Sequence, residues 1–160
     1  MRVAVITFPG SNCDYDLYKA AQQVEASPEF IWHRERGLDG YDAVLLPGGF
    51  SYGDVLGAGG GWATNILHNE ALKTQFSDFF INESNFTLGV CNGCQTLALL
   101  SSLIPGSDGW PKFIRNTSEK FESRLVQTVI NESPSIFFKD MAGSVLPIPV
   151  GPRIDIPSLF

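Results

Sequence analysis

The sequence predicts a doubly wound α/β domain on a mostly parallel sheet, and three observations carry that prediction. Short β-branched runs alternate with segments of helical period, as in RVAVITF at 2–8 followed by DLYKAAQQVEA at 16–26. The runs are almost wholly apolar instead of alternating, which suits strands covered by helices on both faces. A glycine-dense turn, PGGF at 47–50, then follows one of these runs, at the strand end where open α/β sheets place their ligands.

Taken in order, 2–8 is the first strand and is expected to be central, stopped by Pro9-Gly10. Ser11, Asn12 and Asp14 supply cap-type residues for a helix whose Leu17, Ala20, Ala21 and Val24 fall on one face. FIWH at 30–33 is a second strand, and AVLLPGGF at 43–50 is a third that runs into its glycine turn. SYGDVLGAGGG at 51–61 is too rich in glycine for strand or ordinary helix and predicts a loop, shaped by Tyr52 and Asp54. Residues 63–80 predict one or two helices, NFTLGV at 85–90 a fourth strand, and 92–103 the next helix. IPGSDGWPKF at 104–113 is loop, RLVQTVI at 124–130 is a strand, and four of the ten prolines fall in LPIPVGPRIDIPSLF at 146–160. One domain over 1–160 is expected.

Composition excludes several functions. A net charge of −6, with only 11 Lys and Arg, leaves no basic stripe for nucleic acid or an anionic membrane. No run approaches the ~20 apolar residues of a membrane helix, and the first apolar run is too short for a secretory signal, so a cytoplasmic location is expected. Three scattered cysteines, at 13, 91 and 94, make no disulfide framework.

The chemistry concentrates in TLGVCNGCQTLALL at 87–100. A nucleophile between a strand and a helix is pushed out at the top of the sheet, and the partial positive charge of the helix end favours a thiolate. Gly89 and Gly93 flank Cys91 where that turn is crowded, and the next backbone N–H, that of Asn92, can meet a developing oxyanion. By themselves Cys91 and Cys94 can equally be small core hydrophobes, with Cys94 packed inward. A redox Cys-x-x-Cys is the weaker alternative. His33, beside Trp32, is read as a satisfied polar residue and His68 as solvent-facing.

GVCNGCQ at 89–95 resembles the nucleophile elbow of the triad-type (class I) glutamine amidotransferases, Gly-x-Cys-x-Gly-x-Gln. FPGSNCD at 8–14, WHRE at 32–35, LDGYDAVLLPGGFSYGDVLGAG at 38–59, GWA at 61–63, LIPG at 103–106, WPKFIRN at 110–116 and SEKFESR at 118–124 extend the likeness. In that order they are similar to the glutaminase domain of the phosphoribosylformylglycinamidine synthases. The resemblance implies a flavodoxin-like doubly wound sheet and a Cys91 that attacks the side-chain amide of glutamine. It implies Gly49 and Asn92 as oxyanion donors, Gly48 as the bend, and Gln95 as a residue that helps hold substrate. It also implies no cofactor or metal in this domain, and a synthetase portion, fused or separate, that uses ATP and Mg²⁺ and receives the ammonia.

The sequence departs from that family at its end. The family pairs its cysteine with a histidine and, two residues on, a glutamate, yet no histidine follows His68 here. After MAGSVLPI the family's His-Gly-Glu-Gly-Arg segment is replaced by PVGPRIDIPSLF, and Gly60 stands where Glu is usual. The expectation is a domain incomplete at its C-terminal part, its tail from about 147 foreign to the pattern. Two further readings follow: an inactive remnant that only docks on the synthetase, and a redox or stress-response protein with an elbow cysteine.

Overall fold

The computed structural model describes residues 1–34, 37–114, 116–120 and 122–150. The chain divides into two compact units, Met1–Pro111 and Lys112–Phe160.

In the first unit the strands β1 (Arg2–Thr7), β2 (Ser27–Trp32), β3 (Ala43–Leu46) and β4 (Phe86–Gly89) form a parallel sheet in the order β2-β1-β3-β4. This is the flavodoxin-like order, with β1 central as its apolar run predicts. Alternate residues of the strands feed two cores, one on each face. Val3, Val5, Ala43 and Leu45 meet helix α1 (Asp14–Gln23) through Ala21, Leu17 and Tyr18. Ala4, Ile6, Val44 and Leu46 face the other way, into a larger core with Phe8, Trp62, Ile66, Phe76, Phe79 and Leu97. The helices contributing to that core are α2 (Gly60–Leu67), α3 (Glu70–Ile81) and α4 (Asn92–Leu99). Phe8, Trp62 and Ile66 are fully buried, each worth about 1.5–3 kcal/mol of transfer free energy.

Several elements differ in detail from the sequence reading. The N-cap of α1 is Cys13, with no side-chain cap bond. Ser11 instead closes the end of β1, its Oγ accepting from Phe8 N at 3.1 Å and donating to Phe8 O at 2.9 Å. Residues 51–59 form a 3₁₀ turn (Ser51–Asp54) and a glycine-shaped loop, but Gly60 and Gly61 already belong to α2. Residues 63–80 fall in two helices because Asn69 caps the second, its Oδ1 accepting from Ala71 N and Leu72 N. The helix after Cys91 ends at Leu99, and Ser101–Leu103 continues as a 3₁₀ turn.

The second unit is described by its ribbon. Strand β5 (Arg124–Val129) pairs antiparallel with β6 (Val145–Val150). From sequence, LPIPV is assigned no element and only its prolines are noted. Pro147 and Pro149 are two residues apart, so both missing N–H groups fall on one edge, and the ladder forms along the other. The tail GPRIDIPSLF at 151–160 lies outside the described residues.

Candidate active site

Because β1, β3 and β4 are parallel, their carboxyl ends deliver three loops to one edge of the sheet: 8–13, 47–59 and 90–92. The site is built where these loops meet. Cys91 stands between β4 and α4 and is exposed, with φ 53° and ψ −112°. A side-chain-bearing residue adopts such a backbone only under strain, a cost on the order of 1–3 kcal/mol that its surroundings must enforce. Hydrogen bonds enforce it from both sides. Val90 N donates to Leu46 O at 3.0 Å, Gly93 N to Val90 O at 2.9 Å, and Gln95 N to Cys91 O at 3.1 Å. Gly93 admits the helix: a methyl group there would fall 2.6 Å from the carbonyl carbon of Leu46 and closer still to its oxygen.

The glycine turn after β3 is fixed as tightly. Phe50 N donates to Gly10 O at 2.9 Å, while Asn12 N and Cys13 N both donate to Gly48 O at 3.3 Å. These bonds flank the antiparallel bridge between Ser11 and Gly49. In a pair of that type the bonds belong to the neighbours, and the N–H of Gly49 points away from the 8–13 loop. Gly49 itself has φ 138°, and a Cβ would lie 2.7 Å from Gly10 O, so only glycine fits. No hydrogen bond among the described residues uses the N–H of Gly49 or of Asn92. Gly48 sits against Cys91: its missing Cβ would lie 3.2 Å from Cys91 Cβ.

Asn92 does more than follow the cysteine. Its buried side chain accepts from Ser51 N at 3.3 Å and donates to Asp54 Oδ1 at 3.0 Å, with Gln95 Oε1 at 3.5 Å. Asp54 in turn accepts from Gly59 N at 3.4 Å. Asp54, read from sequence as loop-shaping, thus shapes its loop by clasping the first helical residue of α4. Gln95 is buried beneath the elbow.

The structure places Cys91, Gly48, Gly49, Asn92 and Gln95 around the same three loops. It also brings in Cys13, which the sequence reading left unused: the same missing Cβ of Gly48 would lie 3.5 Å from Cys13 Sγ. Burial pushes the Cys13 thiol up from its ordinary pKa, and the charges of Asp16, Cys91 and Asp14 add to this. Cys94 is corrected: it is exposed, not packed inward. Gly93 against β3 directs Thr96, Leu97 and Leu100 into the core, and Cys94 falls on the opposite side of α4. Partial desolvation nevertheless raises the Cys94 pKa, and the neighbouring Cys91 acts in the same direction.

His33 is held as read. It is buried, stacks on Phe8 with ring centroids 4.4 Å apart, and has Nδ1 3.4 Å from Asn65 Nδ2. Asn65 also donates to Tyr52 Oη at 2.7 Å. Desolvation, then the Arg34 charge, lowers the His33 pKa. His68 is exposed at the end of α2. No group of three or more metal-ligating side chains occurs among the described residues.

A parallel sheet in this order, with a strained cysteine at its strand-helix junction facing a glycine turn, defines the elbow class of α/β domain. Comparison with known proteins narrows the class. The family described as the CobB/CobQ-like glutamine amidotransferase domain matches residues 1–152, and the chain belongs to that family. It is similar to the structure of PurLQS from Thermotoga maritima, with TM-score 0.72 and 28% identity over 96% of this chain and 66% of that one. A glutamine amidotransferase from Thermotoga maritima shares the fold, at TM-score 0.51 and 20% identity over 99% of this chain and 64% of that one. The chain thus spans just under two thirds of the length of both.

Proposed function

We propose that the chain is the glutaminase part of a phosphoribosylformylglycinamidine synthase, acting in the cytoplasm to release ammonia from glutamine for purine biosynthesis. The single observation that carries the chemistry is the Cys91 backbone, strained so that its thiol stands exposed beside two unused N–H groups. In this reading the Cys91 thiolate attacks the side-chain carbonyl carbon of glutamine. The oxyanion that forms is met by Gly49 N–H and Asn92 N–H, the former aimed by the bonds on Gly48 O and Phe50 N. Collapse expels ammonia and leaves a glutamyl thioester, which water converts to glutamate and free thiol. Gly48 gives the substrate room beside the nucleophile, and Gln95 helps to hold it from beneath the elbow.

Among the described residues no hydrogen bond reaches Cys91 Sγ, and no histidine follows His68 in the sequence. The residues in place therefore support binding and thiolate attack more directly than the proton transfers of full turnover. The ammonia is delivered to a synthetase portion, which carries the ATP and Mg²⁺ chemistry; the likeness to PurLQS supports that partnership.

The test is alkylation by a glutamine-mimicking diazo-ketone, in which a proton adds to the diazo carbon and the thiolate displaces N₂, leaving a stable thioether. A single adduct on Cys91, suppressed by glutamine and not by asparagine, is the expected outcome. A folded chain that gives no adduct, or one labelled on Cys13 and Cys94 regardless of glutamine, would overturn the proposal.

A further inference from the structure

Gly48 separates two cysteines that lie 78 positions apart in the sequence, at 13 and 91. One missing side chain would touch both, at 3.5 Å from Cys13 Sγ and 3.2 Å from Cys91 Cβ. The sulfur of the first and the Cβ of the second are therefore no farther apart than those two distances laid end to end. Since Gly48 has no Cβ, no side chain of that residue stands between them. A change of χ1 rotamer at Cys91 moves its sulfur by ~3 Å, and Cys13 sits at the head of α1 with its side chain free of any capping bond. The only side-chain hydrogen bond of Cys13 among the described residues is Sγ–H to Asn12 Oδ1 at 3.3 Å.

We propose that Cys13 and Cys91 form a reversible disulfide under peroxide, with Cys91 as the sulfur first oxidised and Cys13 as the resolving thiol. Cys91 is exposed and open to peroxide, whereas Cys13 is half-buried and beside Asp14 and Asp16. In the first step the Cys91 thiolate attacks one oxygen of hydrogen peroxide, the O–O bond breaks, and hydroxide leaves as the sulfenic acid forms. In the second the Cys13 thiolate attacks the sulfenic sulfur, the S–S bond forms, and a second hydroxide leaves. Two protons, one from each thiol, convert the hydroxides to water, so two thiols and one peroxide give one disulfide and two waters. The bond would occupy the space beside Gly48 and bar glutamine while sparing Cys91 from irreversible oxidation.

Cys94 is the rival resolving thiol, one turn along α4, and the shared space at Gly48 is what selects Cys13. The inference requires no glutamine chemistry, so its failure and that of the proposed function are separately visible. The experiment treats the intact folded chain with graded hydrogen peroxide, blocks remaining thiols, and maps linked peptides by tandem mass spectrometry without reduction. A Cys13–Cys91 linkage that disappears with dithiothreitol, persists in Cys94→Ser, and is lost in Cys13→Ser is expected. In Cys13→Ser the Cys91 peptide should instead gain two or three oxygens. Because burial holds the Cys13 thiol protonated, the linkage should form faster as pH rises from 7 to 9. A Cys91–Cys94 linkage, or oxidation of Cys91 to sulfinic acid in the unaltered chain with no linkage to Cys13 at any pH, would overturn the proposal.

Discussion

Replacing Gly93 by alanine sets helix propensity against packing. Alanine is favoured over glycine inside a helix by about 1 kcal/mol, so local preference alone predicts that Gly93→Ala stabilises α4. Packing predicts the opposite. The new methyl would stand 2.6 Å from the Leu46 carbonyl carbon and 2.9 Å from Leu46 Cβ, where ordinary contact needs about 3.4 Å or more. The obstacle is the backbone of β3, which cannot rotate aside, so α4 must retreat by about 1 Å. Overpacking of this kind costs about 1–3 kcal/mol, and a backbone obstacle places it at the upper end. Set against the gain in propensity, the net loss is about 2 kcal/mol, or a fall in Tm of about 6 °C for a chain of 160 residues. The same retreat carries Cys91 and Asn92 away from Gly49, and a 1 Å misplacement costs roughly 100-fold in reaction rate. Thermal unfolding and the rate of diazo-ketone labelling would be measured together, with Gly109→Ala as control, since a methyl at Gly109 meets nothing within 4 Å. A Gly93→Ala chain that melts at or above the parent and labels as fast would refute the reasoning.

Cys91→Gly should gain about 1–3 kcal/mol by releasing the strained backbone, whereas Cys91→Ala, which keeps the Cβ, should gain little; denaturant midpoints compare the two. Asn92→Ala strips the partner from Ser51 N–H and Asp54, for a loss of about 1–3 kcal/mol and slower labelling. Asn92→Asp, though nearly isosteric, should be no better at neutral pH, because it sets one carboxylate against another; denaturant midpoints compare it with Asn92→Ala. His33 gives a pH dependence of known sign. Its folded pKa is lowered, so the unfolded chain binds the extra proton first, and stability falls as pH drops from about 6.5 toward the lowered value. Unfolding midpoints from pH 7.5 to 5 should lose that slope in His33→Phe, and an unchanged slope would assign it elsewhere.

The sheet was legible because a parallel strand buried on both faces writes an unbroken apolar run, as Val3 to Ile6 and Ala43 to Leu46 do. The elbow was legible for a related reason: Gly89 and Gly93 are demanded by backbone packed on backbone, and each leaves a glycine at a fixed distance from Cys91. What sequence could not supply was contact between distant loops. Nothing local in SNCDYD says that Cys13 faces Cys91, since the meeting depends on the Ser11–Gly49 bridge. Nor does SYGD announce that Asp54 clasps Asn92, since Tyr52, Gly53 and Asp54 all adopt positive φ, which their residue types do not dictate as a group. Strand β6 was hidden by its prolines because a composition rule ignores which edge of the strand each proline faces.

The anchors of Cys91 also show which parts of the site move together. Val90 is tied to Leu46, Gly93 packs on Leu46, and Asn92 is tied to Ser51 and Asp54, so every one of these supports runs to β3 or to the loop that follows it. Cys91 and the glycine turn are thereby one body: β3 holds the strain at Cys91 and carries the turn, while backbone bonds from the 8–13 loop to Gly48 O and Phe50 N aim the Gly49 N–H. The 8–13 loop is joined to that body through Gly48 O and Phe50 N, and its side chains take no part in fixing the elbow. It follows that Cys13→Ser should leave both the stability of the elbow and the glutamine-protected labelling of Cys91 close to the parent values while abolishing the peroxide-dependent linkage. A loss of labelling in that variant would mean that the Cys13 side chain, and not only the backbone of its loop, helps to shape the pocket.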